Sequence, residues 1–303
     1  MSVPSLVLVG GAARSGTTVL ARTLAEHSDA AVPPELYFLG PLIHSVETGS
    51  VAGFVRSRFG RRRLDSVGVQ IPESLQTPQT DRARQAVEIW VQVCEQLGVA
   101  DSPFVIEHSP SNTVNASFLA ERLPVHGVVH TVRDGRAVLN SIRRADFGPQ
   151  HPTVVAQWWM AMIAAGQATE RSLVSTRVRY EDLLRDPAGT ADEALDALAV
   201  PTIDQRSVPV PHSTISRTTH ALLDADASPA RADAWRDELD PAIVATFESM
   251  AGPVLRDLGY DCPAGVLHGG HADTMALADA LTRLTTKAPR RLLRFVRASR
   301  ALS

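Results

Sequence analysis

Short apolar runs alternate with segments of helical periodicity along most of the chain. The apolar runs have the length and the flanking turn residues of strands that are buried on both faces. They occupy residues 5–9, 104–107, 127–132 and 174–179. A strand, a loop and a helix therefore repeat along the sequence, and this order predicts an α/β fold with a parallel sheet flanked by helices.

Helical spacing predicts the elements that cover this sheet. Residues 17–27 carry apolar side chains on one helical face and form the first predicted helix, with a short second strand expected after it. Residues 41–97 are mainly helical in pattern, interrupted by Gly, Pro and a run of Arg, and they predict a helical insertion over the sheet. Residues 241–258 are amphipathic and predict a helix that closes the core.

Two segments depart from this alternation. Residues 201–229 are rich in Pro, Ser, Thr and His without periodicity, which predicts a long loop. Residues 283–300 interleave Lys and Arg with Leu, Phe and Val. We therefore expect one domain over residues 1–262 and a basic helical tail over 263–303. Such a helix can make weak contact with an anionic membrane, but a solvated terminal helix is the simpler interpretation.

The composition narrows the class of protein. Hydrophobic residues make up 44% of the chain and charged residues 21%, as in an ordinary globular protein. A net charge of −3 gives no overall basic field, so any anion site must be local and no nucleic-acid partner is expected. The sequence shows neither a signal-peptide pattern nor a run of ~18 apolar residues. Because Cys94 and Cys262 are also far apart, we expect a reduced, cytoplasmic setting.

A glycine-rich loop follows the first predicted strand and opens the first predicted helix. It contains Arg14, Ser15, Gly16, Thr17 and Thr18. In this context backbone N–H groups and the helix dipole bind phosphate. Thr17 stands where the loop of a phosphoryl-transfer NTPase carries lysine, and the single lysine of the chain lies near its C-terminus. We predict an anion-binding loop, with a glycine turn of no function as the alternative.

A second polar cluster follows the strand predicted at 127–132. Arg133 comes directly after the strand, and Ser141 lies two turns into the following helix. The planar guanidinium group suits a phosphate dianion, and the hydroxyl group can add one hydrogen bond. A surface ion pair between an arginine and the aspartate of the sequence Arg-Asp-Gly-Arg, beside a turn, is the alternative interpretation.

Both clusters resemble motifs of the sulfotransferases that depend on 3′-phosphoadenosine 5′-phosphosulfate (PAPS). Residues 14–18 are similar to the 5′-phosphosulfate loop of the tyrosylprotein and bacterial members, except that Ala13 replaces a proline of the tyrosylprotein enzymes. The pair Arg133 and Ser141 resembles their 3′-phosphate motif. PAPS carries phosphate groups at both positions, so the resemblance explains two anion motifs in one chain.

The resemblance extends from about residue 6 to about residue 260. The sequence Tyr-Glu-Asp-Leu at 180–183 resembles an element whose tyrosine approaches the nucleotide, although Tyr180 can also simply pack at a strand end. The resemblance implies a P-loop-like sulfotransferase fold with PAPS as the sulfuryl donor. It also implies an acceptor with a hydroxyl group, and a small molecule, a sugar and a peptide tyrosine all stay open.

Two residues are candidates for the proton transfers. Glu35 follows the first helix, where the resemblance places the catalytic glutamate of tyrosylprotein sulfotransferases, and apolar neighbours can raise its pKa. His108 follows the run 104–107, where relatives have a lysine that contacts the bridging oxygen of the leaving group. A protonated histidine can donate a proton there, and a structural histidine is the alternative.

Two other functions compete with sulfuryl transfer. A P-loop nucleotide kinase would share the strand, loop and helix, but it needs a phosphate-binding lysine and a carboxylate for magnesium. A noncatalytic nucleotide-binding protein would keep the pocket without turnover. The histidines lack the spacing of zinc ligands, so we predict no metal site.

Overall fold

A parallel sheet of five strands forms the centre of the protein in the computed structural model, which describes residues 3–145, 148–203 and 229–263. The strands lie in the order β2-β3-β1-β4-β5. They are β1 (Ser5–Gly11), β2 (Ala30–Ala31), β3 (Phe104–Glu107), β4 (Val125–Val132) and β5 (Ser175–Arg179). This arrangement confirms the predicted α/β fold.

Helices fill the intervals between the strands and cover both faces of the sheet. Their bounds are α1 (Thr17–Glu26), α2 (Leu39–Glu47), α3 (Val51–Arg56), α4 (Arg58–Val67), α5 (Glu73–Gln76), α6 (Arg82–Gln96), α7 (Asn112–Ala120), α8 (Gly135–Arg144), α9 (Pro152–Ser172), α10 (Tyr180–Arg185), α11 (Pro187–Ala197), α12 (Pro229–Asp233), α13 (Trp235–Glu238) and α14 (Pro241–Asp257). The helices α2 to α6 occupy the predicted insertion, and α14 matches the predicted closing helix.

The two faces of β1 belong to different parts of the core because side chains alternate along a strand. Leu6 and Leu8 pack in a cluster with the helices of the insertion, including the fully buried Trp90 of α6. Val7 and Val9 pack on the opposite face in a cluster with α1 and α11. Because both faces of β1 are buried, the strand needs an uninterrupted run of apolar residues. That run is the signal by which the sequence predicted the strand.

The strand β4 begins before the apolar run that predicted it. Val125 and His126 extend the strand, although histidine is unusual in a buried run. The His126 ring lies edge-on against Phe104, with ring centroids 4.9 Å apart, and its Nε2 atom is 2.8 Å from the carbonyl oxygen of Leu198. Both contacts come from distant segments, which is why the local pattern did not show them.

The strand order brings three loops to one edge of the sheet. β1 pairs with β3 on one side, with Leu8 opposite Glu107, and with β4 on the other side, with Gly11 opposite Thr131. All three strands are parallel, so the loops that follow them emerge together at their carboxyl ends. In open α/β sheets ligands bind in this crevice.

Some predictions fall outside the described residues. Most of the loop predicted at 201–229 and all but the first residue of the tail predicted at 263–303 lie there, so the domain boundary at 262 stays a prediction. Across the described ranges, the structure contains no helix with the length and apolar character needed to cross a bilayer.

Candidate functional site

The loop between β1 and α1 has an unusual backbone that only certain residues adopt. Arg14 has a φ of 72° and Gly16 has a φ of 85°, both in the left-handed region. A Cβ atom on Gly16 would overlap the ring of Tyr180, which lies directly against the loop. Glycine is therefore required at this position both by the backbone conformation and by the close approach of the ring.

The first turn of α1 has no side-chain cap. Its N-cap residue is Gly16, which has no side chain to cap the helix, and Thr17 and Thr18 follow it with buried side chains. Ser15 is also buried, and its Oγ atom has no hydrogen-bond partner among the described residues. A buried hydroxyl group without a partner costs free energy unless a ligand supplies one. The loop therefore fits a phosphosulfate or phosphate group.

The two predicted anion motifs contact each other directly. The Nε atom of Arg14 donates a hydrogen bond to Ser141 Oγ at 2.9 Å, although the two residues come from different loops and helices. Arg133 donates from Nη1 to the backbone oxygen of Arg14 at 2.8 Å. Arg14, which was predicted to bind one end of the ligand, is thus hydrogen-bonded to Arg133 and Ser141, which were predicted to bind the other end.

Arg133 is a buried cation whose direct contacts are with neutral groups, while the charges of Glu181 and Asp134 lie nearby. Its guanidinium group lies over the Tyr180 ring at 4.4 Å, and burial is the main cause that lowers its pKa from the usual value. Within the described ranges, Arg133 forms no ion pair with a carboxylate, and its Nε atom has no hydrogen-bond partner. A buried cation in this state fits an incoming phosphate group.

The structure corrects the alternative interpretation that the sequence Arg-Asp-Gly-Arg forms an ion pair at the surface, because its ion pair is buried and does not include Arg133. Asp134 instead pairs with Arg136, whose Nη2 atom lies 2.7 Å from Oδ2, and both side chains are buried. Asp134 also caps α8 by accepting from the backbone nitrogen of Arg136 at 2.8 Å. Arg136 in turn bonds Glu248 of α14. Asp134 is therefore bound to Arg136 and to the N-terminus of α8, and Arg136 links α8 to α14.

Glu35 lies beside the anion loop. Its Oε1 atom is 3.4 Å from the Thr18 hydroxyl group and 3.8 Å from Nδ1 of His108, and its side chain is 20% exposed. Burial is the largest cause that raises the pKa of Glu35 from 4.5 to about 7. A hydrogen bond with Tyr37 lowers this pKa, and the nearby charge of Glu107 raises it. The carboxyl group is thus poised to exchange a proton near neutral pH.

A buried carboxyl group holds the segment that carries Glu35. Glu107, the last residue of β3, accepts a hydrogen bond from the backbone nitrogen of Leu36 at 2.7 Å. It also accepts from the hydroxyl group of Ser109 at 2.6 Å and from the side chain of Asn112. Glu107 is fully buried, and burial raises its pKa. These bonds fix Glu35 next to the carboxyl end of β3, where His108 follows.

The structure brings together every residue that the sequence suggested for the site. One group surrounds the loop and comprises Arg14, Ser15, Gly16, Thr17, Thr18, Arg133, Ser141 and Tyr180. The other group, Glu35 and His108, lies at the Thr18 end of the loop. Sequence reasoning missed Tyr37 and Glu107. A glutamate that ends an apolar strand was the available signal for Glu107.

Metal binding has no structural support within the described ranges. No group of three or more His, Cys, Asp or Glu side chains gathers there in a way that would hold a metal ion.

Comparisons with known proteins agree on one family. A sequence model described as the sulfotransferase family matches residues 4–204. The chain is 26% identical to protein-tyrosine sulfotransferase 1 of Danio rerio over 305 aligned positions, which cover 94% of this chain and 79% of that protein.

Two solved structures share the fold. The sulfotransferase domain from the curacin biosynthetic pathway has a TM-score of 0.57 and 19% identity, and the match covers 87% of this chain and 100% of that domain. The sulfotransferase domain from the olefin synthase of Synechococcus PCC 7002 has a TM-score of 0.58 and 23% identity, and the match covers 86% and 96% of the two chains. The family match spans most of the chain and agrees with this fold, so the protein belongs to the sulfotransferase family and is a sulfotransferase enzyme.

Proposed function

We propose that this enzyme takes a sulfuryl group from PAPS and transfers it to the hydroxyl group of an acceptor. The hydrogen bond between Arg14 and Ser141 carries the proposal, because it joins two anion motifs into one site. Sulfotransferases generally use PAPS, and a nucleotide with phosphate groups at its 5′ and 3′ positions needs two such motifs.

We assign the 5′-phosphosulfate end to the loop after β1. Arg14 supplies a positive charge, the hydroxyl groups of Ser15 and Thr17 supply hydrogen-bond donors, and the backbone N–H groups of Thr17 and Thr18 add donors at the N-terminus of α1. These groups also suit the negative charge that develops on the leaving phosphate oxygen during transfer, since preorganised donors stabilise such charge.

We assign the 3′-phosphate to Arg133 and Ser141. Arg133 is buried without a carboxylate in ion-pair contact among the described residues, so a phosphate dianion would compensate its charge. The Tyr180 ring packs against the guanidinium group of Arg133 and also lies against Gly16. The ring therefore contacts both the residue that we assign to the 3′-phosphate and the loop that we assign to the 5′-phosphosulfate.

Glu35 is our choice for the general base. Its carboxylate accepts the proton of the acceptor hydroxyl as the acceptor oxygen bonds to sulfur, while the bond between sulfur and the 5′-phosphate oxygen of the donor breaks. A base works best when its pKa lies near the working pH, and burial raises the pKa of Glu35 to about 7. Thr18 connects this base to the anion loop at 3.4 Å.

His108 has a position from which it can assist at the same end of the site. Its Nδ1 atom lies 3.8 Å from the carboxyl oxygen of Glu35, and the side chain is buried. We assign it to proton donation toward the leaving group when it is protonated. The alternative is a structural role at the end of β3, and the His108→Ala variant separates the two because only the first lowers turnover with unchanged nucleotide affinity.

The acceptor carries a hydroxyl group, and its class stays open between a peptide tyrosine, a sugar and a small molecule. The name of the Danio rerio relative identifies protein tyrosine as the acceptor of that enzyme. Identity of 26% makes tyrosine a candidate here and no more. The helical insertion lies beside Glu35 and is where we expect acceptor selectivity to be determined.

The competing functions have less support. A nucleotide kinase would need a carboxylate for magnesium, but Asp134 is bound by Arg136 and the loop has no lysine. A noncatalytic nucleotide-binding protein would keep the anion motifs, yet it would have no need of a carboxyl group with a raised pKa at the Thr18 end of the loop.

Incubation with PAPS labelled at sulfur tests the proposal. The protein is mixed with labelled PAPS and a panel of tyrosine peptides, sugars and phenolic or aliphatic alcohols, and the label is followed by chromatography. Transfer of label to one acceptor class, with release of 3′-phosphoadenosine 5′-phosphate (PAP), is the expected result. Binding of PAP without transfer to any acceptor would favour the noncatalytic function, and transfer of phosphate from ATP would favour the kinase.

A further inference from the structure

The helical insertion contacts the ring of Tyr37, which lies next to the candidate base. The guanidinium group of Arg63, on α4, lies over the ring of Tyr37 at 4.7 Å from the centroid. Tyr37 follows Glu35 by two residues, and its side chain is hydrogen-bonded to the Glu35 carboxyl group. A chain of contacts therefore runs from the insertion through Tyr37 to the carboxyl group beside the anion loop.

We propose that Tyr37 and Arg63 are positioning residues for Glu35. Tyr37 holds the carboxyl group by a hydrogen bond, and Arg63 holds the Tyr37 ring in the orientation that makes this bond. The inference rests on the proposed function only where it concerns turnover, because the contacts themselves are independent of the reaction.

The geometry of α4 supports a specific role for Arg63. The helix carries arginines at positions 58, 61, 62 and 63, and of these four Arg63 is the one that contacts an aromatic ring within the described part of the chain. It also lies 5.9 Å from the ring centroid of Phe59, one turn earlier on the same helix. Contacts with these two rings restrict a side chain that would otherwise keep its rotamer freedom in solvent.

The groups around Glu35 predict in which direction substitution of Tyr37 or Arg63 shifts the pKa of Glu35. Glu107 at the end of β3 is a nearby acidic group that raises the pKa of Glu35, and His108 lies at 3.8 Å. The hydrogen bonds from Tyr37 and from Thr18 of α1 lower the pKa, as does the positive charge of Arg63. Removal of the Tyr37 hydroxyl group or of the Arg63 charge should therefore make Glu35 hold its proton to a higher pH.

The test measures the titration of Glu35 in the full chain without any substrate. Glutamate side chains are labelled with ¹³C at the carboxyl carbon, and the Glu35 resonance is identified by its loss in the Glu35→Gln variant. In Tyr37→Phe the titration midpoint should rise by about one pH unit, the size expected for a lost hydrogen bond to a charged group. Arg63→Gln should shift it in the same direction, and Arg63→Lys should restore part of the shift.

Arg62→Gln is the matched control. Arg62 is exposed on the same helix and adjacent to Arg63, so its substitution removes the same formal charge without the ring contact. It should leave the midpoint close to that of the unmodified protein. An unchanged midpoint in Tyr37→Phe, or an equal shift in the Arg62 and Arg63 variants, would overturn the inference.

Rates of sulfuryl transfer separate this inference from the proposed function. When Glu35 is the base, the acid limb of the profile of kcat/KM against pH moves upward together with the carboxyl titration in Tyr37→Phe. When the titration moves and the acid limb does not, the positioning role stands and Glu35 is removed from the mechanism.

Discussion

Arg14 and Ser141 are joined by a hydrogen bond of 2.9 Å, although 127 positions separate them in the sequence. Arg14 belongs to the loop after β1, and Ser141 belongs to α8, which follows the neighbouring strand β4. Parallel pairing of these strands places the two loops side by side at one edge of the sheet. The bond is thus a direct consequence of the strand order, and it is the reason that we propose one site formed by the two predicted anion motifs.

Replacement of Gly16 by alanine should destabilise the protein strongly. A Cβ atom there would overlap the Tyr180 ring in addition to straining a backbone with φ of 85°. Gly68 is the matched control, since its φ is 72° and a Cβ atom would meet nothing within 4 Å. Thermal or urea unfolding should show a loss of about 1 kcal/mol for Gly68→Ala, as strain alone predicts, and a clearly larger loss for Gly16→Ala. Equal losses would contradict the close packing of Tyr180 on the loop.

Glu35→Gln should keep nucleotide binding and lower turnover by roughly 10² to 10⁴, which is the usual range for removal of a general base. The amide keeps the shape of the side chain but cannot accept the proton. Steady-state rates with saturating acceptor and PAP affinity by calorimetry are the two measurements. Near-normal turnover would remove Glu35 from the mechanism, and a larger loss in His108→Ala would mean that the general base has to be reassigned.

Glu35 should also make the stability of the folded chain depend on pH in a defined direction. Its pKa is raised from 4.5 to about 7, so between these values the folded chain holds a proton that the unfolded chain has released. Stability is therefore lost as the pH rises through this window, and the loss is complete above it. The Glu35→Gln variant has no carboxyl group at this position and therefore does not lose this stability. The difference in free energy of unfolding, variant minus unmodified protein, should increase by about 1–3 kcal/mol from pH 4 to pH 8.

Urea unfolding at several pH values measures this difference. Glu193→Gln serves as the control, because Glu193 is an exposed glutamate on α11. Its difference from the unmodified protein should stay nearly constant over the same range. A falling relative stability of Glu35→Gln with pH would mean that the carboxyl group is stabilised in its ionised form in the folded chain.

Local patterns were enough to predict the sheet and the loop between β1 and α1. A buried central strand needs an apolar run, and a loop that binds an anion at a helix N-terminus needs glycine and small polar residues in sequence. Both signals are contiguous, so β1 and residues 14–18 could be identified from the sequence alone. The resemblance in these contiguous motifs also led to the correct family.

Contacts between distant segments were not predictable in the same way. The sequence Arg-Asp-Gly-Arg does not show which arginine pairs with Asp134, and only the packing of α8 on α14 selects Arg136. Likewise, Arg63 looks like one of several solvated arginines in the sequence. Its position over Tyr37 arises from the folding of the insertion against the segment after α1.

The central claim is that one nucleotide bridges the loop of Arg14 and the 3′-phosphate site of Arg133. Calorimetry on Arg133→Ala tests it most directly, with PAP compared against adenosine 5′-phosphosulfate, which lacks the 3′-phosphate. We predict that PAP binding weakens by roughly 2 to 5 kcal/mol, as for loss of one partner of a buried charge pair, while adenosine 5′-phosphosulfate binding changes little. Equal losses for the two ligands, or no loss for PAP, would contradict the account.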